Sequence, residues 1–238
     1  MVSARAGRWL RRGLAITITL VVVVVAVATW VYSGQIDRLL LRSEHALPAY
    51  SVEVLAVSDD EVTLPHGAGE PLGTWGLVWE TGYARVGPVA ATSRDGVVRP
   101  LLDVAGDLRP GMLVALDVYA FEADPSAVGL EFENVIVEGP LGNQPAWLTP
   151  GEDDTWVILV HDRDAFRREA LRALPVLAAG GFPTLTITYR NDPGAPEGGG
   201  RYGLGNPEWR DVEAAVAYAV EAGAADVVIY GWGMGAGA

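Results

Sequence analysis

An α/β fold is predicted for the C-terminal half of this chain: an incomplete, mainly parallel sheet preceded by a transmembrane helix and a small β-rich module. Three observations predict it. A basic segment runs into an apolar stretch from Leu14 to Tyr32, short β-prone runs separated by turn residues follow, and from Val128 apolar strands alternate with amphipathic helical stretches. The expected organisation is a cytoplasmic basic segment (1–12), a transmembrane anchor (13–33), a stalk (34–48), a β-rich module (49–127) and the α/β part (128–238).

Arg5, Arg8, Arg11 and Arg12 precede the apolar run LAITITLVVVVVAVATWVY, and Trp30 and Tyr32 stand where interfacial aromatics belong. About 20 residues at a rise of ~1.5 Å cross a hydrocarbon core of roughly 30 Å. The arginines before the run outweigh Arg38 and Arg42 after it, so the N-terminus is expected in the cytoplasm and the remainder outside. A cleaved signal peptide is the alternative, because Ala26-Val27-Ala28 has the form of a cleavage site.

Charge and composition narrow the partners. The 238 residues carry 30 Asp+Glu against 17 Lys+Arg, a formal net charge of −13, and every one of those cations is arginine. Such a surface repels phosphate backbones, so no nucleic-acid partner is expected. With no cysteine, disulfides, thiolate metal sites and cysteine nucleophiles are excluded together. No metal-ligand spacing occurs and no cofactor is expected.

The segment QIDRLLLRSEHALP (35–48) reads as a short helix or stalk. In the β-rich module, SVEVLAV and EVTL flank Ser58-Asp59-Asp60 as a hairpin, Arg94-Asp95-Gly96 turns into VVRPLL, and Pro110-Gly111 turns into MLVALDVYAF. The isolated His45 and His66 read as surface or structural residues.

From Val128, LEFENVIVEG and PAWLTP precede three strands, WVILVH, TLTITY and DVVIYG. Two helical stretches lie between them: 166–179, with Pro175 as a kink and Gly180-Gly181 as its end, and 208–222, with Asn206 as N-cap and Gly223 as its stop. Strands and helices in this alternation imply a parallel sheet covered on both faces, with ligands bound at the rim of strand C-terminal ends. Three segments meet on that rim: His161-Asp162-Arg163-Asp164; Tyr189-Arg190-Asn191-Asp192-Pro193; and Gly231-Trp232-Gly233-Met234-Gly235. Gly231 and Gly235 satisfy the demand of a G-x-S-x-G nucleophile elbow for small residues on either side of its centre. Gly233, at the centre, supplies no nucleophile.

With PAWL, WVILVH, ITYRNDPGAP, RYGLG, EWRDVEAAV and YGWGMG in this order, the chain resembles the α/β-hydrolase family, in particular membrane-anchored serine hydrolases of the kind seen in actinobacteria. The resemblance implies an incomplete α/β-hydrolase sheet, and hydrolysis of a small ester or acyl substrate by a serine nucleophile in intact relatives. It places the missing serine at Gly233. It makes Met234, Asp162 and Arg163 the oxyanion-hole candidates, Gly231, Trp232 and Gly235 the elbow, and His161, Arg190, Asn191 and Asp192 a pocket lining. Where the family has a glycine-rich loop, Asp162 and Asp164 are expected to oppose developing negative charge. The acid and histidine that follow the nucleophile in that fold have no counterpart before Ala238. The chain is therefore expected to be a shortened and inactive hydrolase.

Two other readings rest on the same residues. Gly233, Gly235 and Ala238 fit G-x-G-x-x-A after a strand, a dinucleotide-binding fingerprint. Alternatively, the exported part is a non-catalytic binding protein. Arg190, Asn191 and Asp192 read equally as a plain turn before Pro193, Trp209 and Trp232 as packing residues, and Glu208 and Asp211 as partners of a helix dipole.

Overall fold

A computed structural model of the protein describes residues 2–42, 49–120 and 124–238. The chain divides into two compact units, Met1–Arg42 and Ser43–Ala238. The first is α1 (Val2–Ile36), a 35-residue helix closed by a single π-type turn, Asp37–Leu41. Its Arg12–Ile36 portion is long and apolar enough to cross a membrane, and none of its most apolar window is buried. The helix runs on past residue 33, so the first part of the expected stalk is a continuation of α1. Residues 43–48, with His45, lie outside the described residues.

The second unit contains two sheets. The first is antiparallel and built from β1 (Val52–Glu53), β2 (Ala56–Val57), β3 (Glu61–Leu64), β4 (Trp75–Trp79), β5 (Gly82–Val86), β6 (Ala91–Ser93), β7 (Gly96–Ala105) and β8 (Leu113–Asp117). Its strands run in the order β1-β8-β4-β5-β7-β3-β2, with β6 beside β7. Ser58 caps the β2–β3 turn by accepting from Glu61 N–H. Inward side chains alternate with outward ones, and Val54, Val62, Leu64, Leu77, Ala84, Val86 and Val114 form the core. Within this sheet Arg99 is fully buried on β7. Its guanidinium donates to the carbonyls of Gly87, Gly69, Pro71 and Gly73, which pins two loops to the sheet.

The second sheet comprises β9 (Glu133–Gly139), β10 (Gly142–Thr149), β11 (Thr155–Val160), β12 (Thr184–Ile187) and β13 (Asp226–Gly231), in the order β13-β11-β12-β10-β9. β11, β12 and β13 stand where strands were expected, LEFENVIVEG and PAWLTP before them form β9 and β10, and the sheet is mixed. β11 is parallel to β12 and β13, whereas the β9–β10 hairpin joins antiparallel to β12. Helices are few. The predicted helix over 166–179 is broken into a 3-10 stretch (Arg167–Arg172) and a short α2 (Leu174–Ala179). Pro175 sits in the first turn of α2, where its missing N–H costs nothing, rather than kinking a longer helix.

The other helix forms as α3 (Trp209–Glu221), and Gly223 follows it with φ of +108°. Asn206 does not cap it. Its N–H donates to Gly203 O, and the buried Glu208 carboxylate instead accepts from Gly203 and Gly205 N–H at 2.8 and 3.0 Å. Val212, Ala215 and Ala219 of α3 pack on Trp156, Ile158 and Leu185 of the sheet. Among the described residues β13 pairs with β11 alone, and Val228, Ile229 and Tyr230 remain about half exposed.

Candidate functional site

The strand ends of β11, β12 and β13 bring the three predicted segments together. After β13, the chain turns through Gly233 at φ of +47° into a 3-10 turn, Gly233–Ala236. A Cβ on Gly231 would lie 2.5 Å from Gly235 O, and one on Gly235 would lie 2.4 Å from Val160 O. Both positions are therefore closed to any side chain, as the elbow pattern requires.

Gly233 is crowded by a side chain and not by backbone. A Cβ there would fall 2.1 Å from Cγ of Asp162. The Asp162 carboxylate fills the space in front of the elbow, where its Oδ1 accepts from Met234 N–H and from Arg163 N–H, each at 2.7 Å. Two backbone donors converge on one carboxylate oxygen. The carboxylate expected to oppose negative charge at this point lies within hydrogen-bond distance of both backbone donors. Asp162 N–H donates to Glu169 Oε2 at 2.6 Å. Burial pushes the Glu169 carboxyl above the usual range, and the hydrogen bond from Asp162 N–H only partly offsets this.

Beneath the rim, His161 and Asp192 form a buried pair with Nε2 to Oδ2 at 2.8 Å. His161 Nδ1 lies 2.7 Å from Asp162 O, and a carbonyl can only accept, so Nδ1 carries a proton. Burial pulls the His161 pKa down, but the charge and hydrogen bond of Asp192, with the Asp162 carbonyl, outweigh it and leave the pKa raised. The imidazole stacks on Tyr189, centroids 4.3 Å apart. Burial also raises the phenol pKa of Tyr189, whose hydroxyl donates to the carbonyls of His161 and Asp162. This stack, which sequence reading missed, fixes the β11 loop against the β12 loop.

The rest of the second segment is structural. Arg190 forms a bidentate pair with Asp211 of α3 at 2.8 and 2.9 Å, and Arg190 N–H bonds the same carboxylate. Asp211 is wholly buried in the first turn of α3, where an acidic residue suits the helix dipole as expected, and it is also the partner of Arg190. Asn191, at φ of +71°, accepts from Gly198 and Gly200 N–H and donates to Arg201 O, closing the following loop. Trp232 is partly buried, edge-on to Tyr230 at 4.6 Å.

A family model described as a domain of unknown function (DUF8805) matches residues 53–117, the stretch from β1 to β8. No curated protein matches the chain. Among solved structures, three crystal forms of the Pyrococcus furiosus esterase Pf2001 are similar. In space group P212121 the identity is 19% over 48% of this chain and 45% of the esterase, with a TM-score of 0.44. The P21 form gives 21% identity over 49% and 47% at 0.43, and the C2221 form 19% over 47% and 43% at 0.39. The chain thus spans less than half the length of these structures.

Proposed function

We propose that this chain is part of a membrane-anchored, extracytoplasmic α/β-hydrolase-like protein whose elbow is a structural turn and performs no acyl transfer. One observation carries the reading. Oδ1 of Asp162 occupies the point on which Met234 N–H and Arg163 N–H converge. A substrate oxyanion would need those donors, and it would meet a carboxylate instead. Gly233 adds the lack of a hydroxyl. The same carboxylate disfavours the dinucleotide reading, because a pyrophosphate on Gly233, Gly235 and Ala238 would compete with Asp162 for Met234 N–H.

Anchoring by Leu14 to Tyr32 with the N-terminus inside is supported by the apolar length of α1 and by the arginines that precede the run. The chemistry of intact relatives, hydrolysis of small esters or acyl compounds, is the lineage of the site and not its activity here.

The test is turnover of p-nitrophenyl acetate by the full chain in detergent, together with labelling by a fluorophosphonate. Hydrolysis no faster than in buffer, without a covalent adduct, is the expected result. Turnover that disappears in Gly231→Val, which blocks the elbow, would overturn the reading. For the anchor, an alkaline carbonate wash should leave the chain in the membrane pellet with its N-terminus intact. Release beginning after Ala28 would show a cleaved signal peptide.

A further inference from the structure

The two ring nitrogens of His161 face two acceptors at once. Nε2 lies 2.8 Å from Asp192 Oδ2, and Nδ1 lies 2.7 Å from the Asp162 carbonyl oxygen. Both contacts together need two protons, one on Nδ1 and one between Nε2 and Oδ2. With only one proton, a lone pair faces an acceptor on one side of the ring or the other. The titration therefore belongs to the His161–Asp192 pair.

The two sides do not resist equally when a proton leaves. Asp192 is buried and its Oδ2 also takes Tyr189 N–H, so it is fixed in the interior. A buried carboxylate is the costlier acceptor to deprive of a donor, and the remaining proton stays on Nε2. Nδ1 then turns a lone pair toward Asp162 O. That oxygen belongs to a strained loop, in which Asp164 and Phe166 hold left-handed φ of +59° and +62° without being glycine. It keeps only the longer contact to the Tyr189 hydroxyl, at 3.1 Å, which is shared with His161 O at 3.3 Å. The peptide plane that carries Asp162 O also carries Arg163 N–H, the donor to Asp162 Oδ1. Because that plane is rigid, turning its carbonyl away from Nδ1 swings the N–H away from the carboxylate. The same Oδ1 is what holds Met234 N–H.

From this linkage we infer that the 161–166 loop is a pH-sensitive latch over the elbow, shut while the His161–Asp192 pair is fully protonated and released when the pair loses a proton. The latch concerns the position of the loop and holds whether or not the elbow performs chemistry. Charged and titratable groups reach the ring from each neighbouring element. Asp192 and Tyr189 follow β12, Glu169 comes from the 167–172 stretch, and Arg167 of that stretch faces Asp192. Asp162 is on the loop itself, and the 231–238 segment has no titratable side chain. Burial keeps the Tyr189 phenol neutral throughout. Burial also opposes charge on His161, but Asp192, the Asp162 carbonyl and the Glu169 charge outweigh it and raise the pKa above the ordinary 6.5. The latch is therefore shut below about pH 6.5 and opens as pH rises through the raised value.

Heteronuclear magnetic resonance of the full chain in detergent, with isotope-labelled histidine and methionine, tests this between about pH 5 and about pH 9. The His161 ring, assigned by the signals lost in His161→Gln, should be doubly protonated at the acid end. On the way up, Nδ1 and not Nε2 should lose its proton. Protection of the Met234 amide, taken relative to an unstructured amide at each pH, should fall about tenfold with the same midpoint, the size of one lost charge-assisted hydrogen bond. That step should be absent in His161→Gln. Glu169→Gln removes the other carboxylate that titrates beside Asp162 N–H. There the step should persist at a lower pH, because the Glu169 charge helps to hold His161 protonated. Should either variant unfold, the wild-type ring and amide signals decide by themselves. The inference is overturned if His161 titrates below about pH 6.5, if Nε2 gives up the proton, if Met234 protection stays flat while His161 titrates, or if the step vanishes in a folded Glu169→Gln.

Discussion

Gly233 and Asp162 are a matched pair, and the match has a measurable cost when one side is changed. A serine at 233 would place Cβ within 2.1 Å of the Asp162 carboxyl carbon, on a backbone held at φ of +47°. Overpacking and the left-handed conformation together should destabilise Gly233→Ser by about 3 kcal/mol. In chemical denaturation, Asp162→Gly should recover part of that loss, with a coupling of about 1 kcal/mol or more between the sites; strictly additive effects would mean that the carboxylate does not fill the elbow. His161 gives a second expectation. Its pKa is raised in the folded state from an ordinary value of 6.5. Its pairing with Asp192 therefore stabilises fully below about pH 6.5 and loses that contribution as pH rises through the raised value. Wild-type melting temperature should fall across that window more than that of His161→Gln. Of these residues, Gly231 and Gly235 were legible in the sequence because the elbow pattern itself demands small residues at both positions. The role of Asp162 was not, since its partner Met234 is 72 positions away and no spacing rule connects them.

Elements were easier to read where turn chemistry and apolar length agreed. Ser58-Asp59-Asp60 between two β-branched runs gave the β2–β3 hairpin, and β11, β12 and β13 are short runs of Val, Ile, Leu and Thr with too little length for a helix. Direction was not legible: nothing in PAWLTP says that β10 pairs antiparallel to β12 through Ala146 and Ile187. The stretch 166–179 has helical spacing, yet Phe166 at φ of +62° and the pull of Arg168 and Arg172 toward the first sheet break it. Arg99 shows how a charged letter can hide its role. Within the run VVRPLL nothing singles it out, whereas its guanidinium is the hub that satisfies the carbonyls of Gly87, Gly69, Pro71 and Gly73. Burial lowers its pKa without removing its charge. Arg99→Met keeps the apolar stem and leaves those carbonyls without a donor, so a loss of about 3–5 kcal/mol is expected. Its urea midpoint should drop accordingly, and a loss below about 1 kcal/mol would mean that water replaces the guanidinium readily.

At the scale of the molecule, the second unit joins an antiparallel sheet to a mixed one through a few arginines of the 167–172 stretch. Arg168 pairs with Asp117 at the end of β8, and Arg172 donates to the carbonyls of Val118 and Tyr119. Between them lies a cleft of about 330 Å³ bordered by Tyr119, Glu169, Tyr230 and Trp232. Burial pushes the Tyr119 phenol up to about 12, so it stays protonated and neutral at this junction. Because Glu169 also receives Asp162 N–H, the sheet-to-sheet contact and the filled elbow share one short stretch of chain. Loosening one should therefore loosen the other. The two sheets have separate cores, so their cooperativity depends on this contact. The isolated 43–238 unit should unfold in one transition, with tryptophan fluorescence and far-ultraviolet circular dichroism superimposing. In the Arg168→Ala, Arg172→Ala double variant the two probes should separate. Amide exchange at Met234 should rise at the same time, because Glu169 loses the neighbours that hold it beside Asp162. Coincident transitions with unchanged exchange at Met234 would show that the arginine contacts decorate the junction without coupling the sheets.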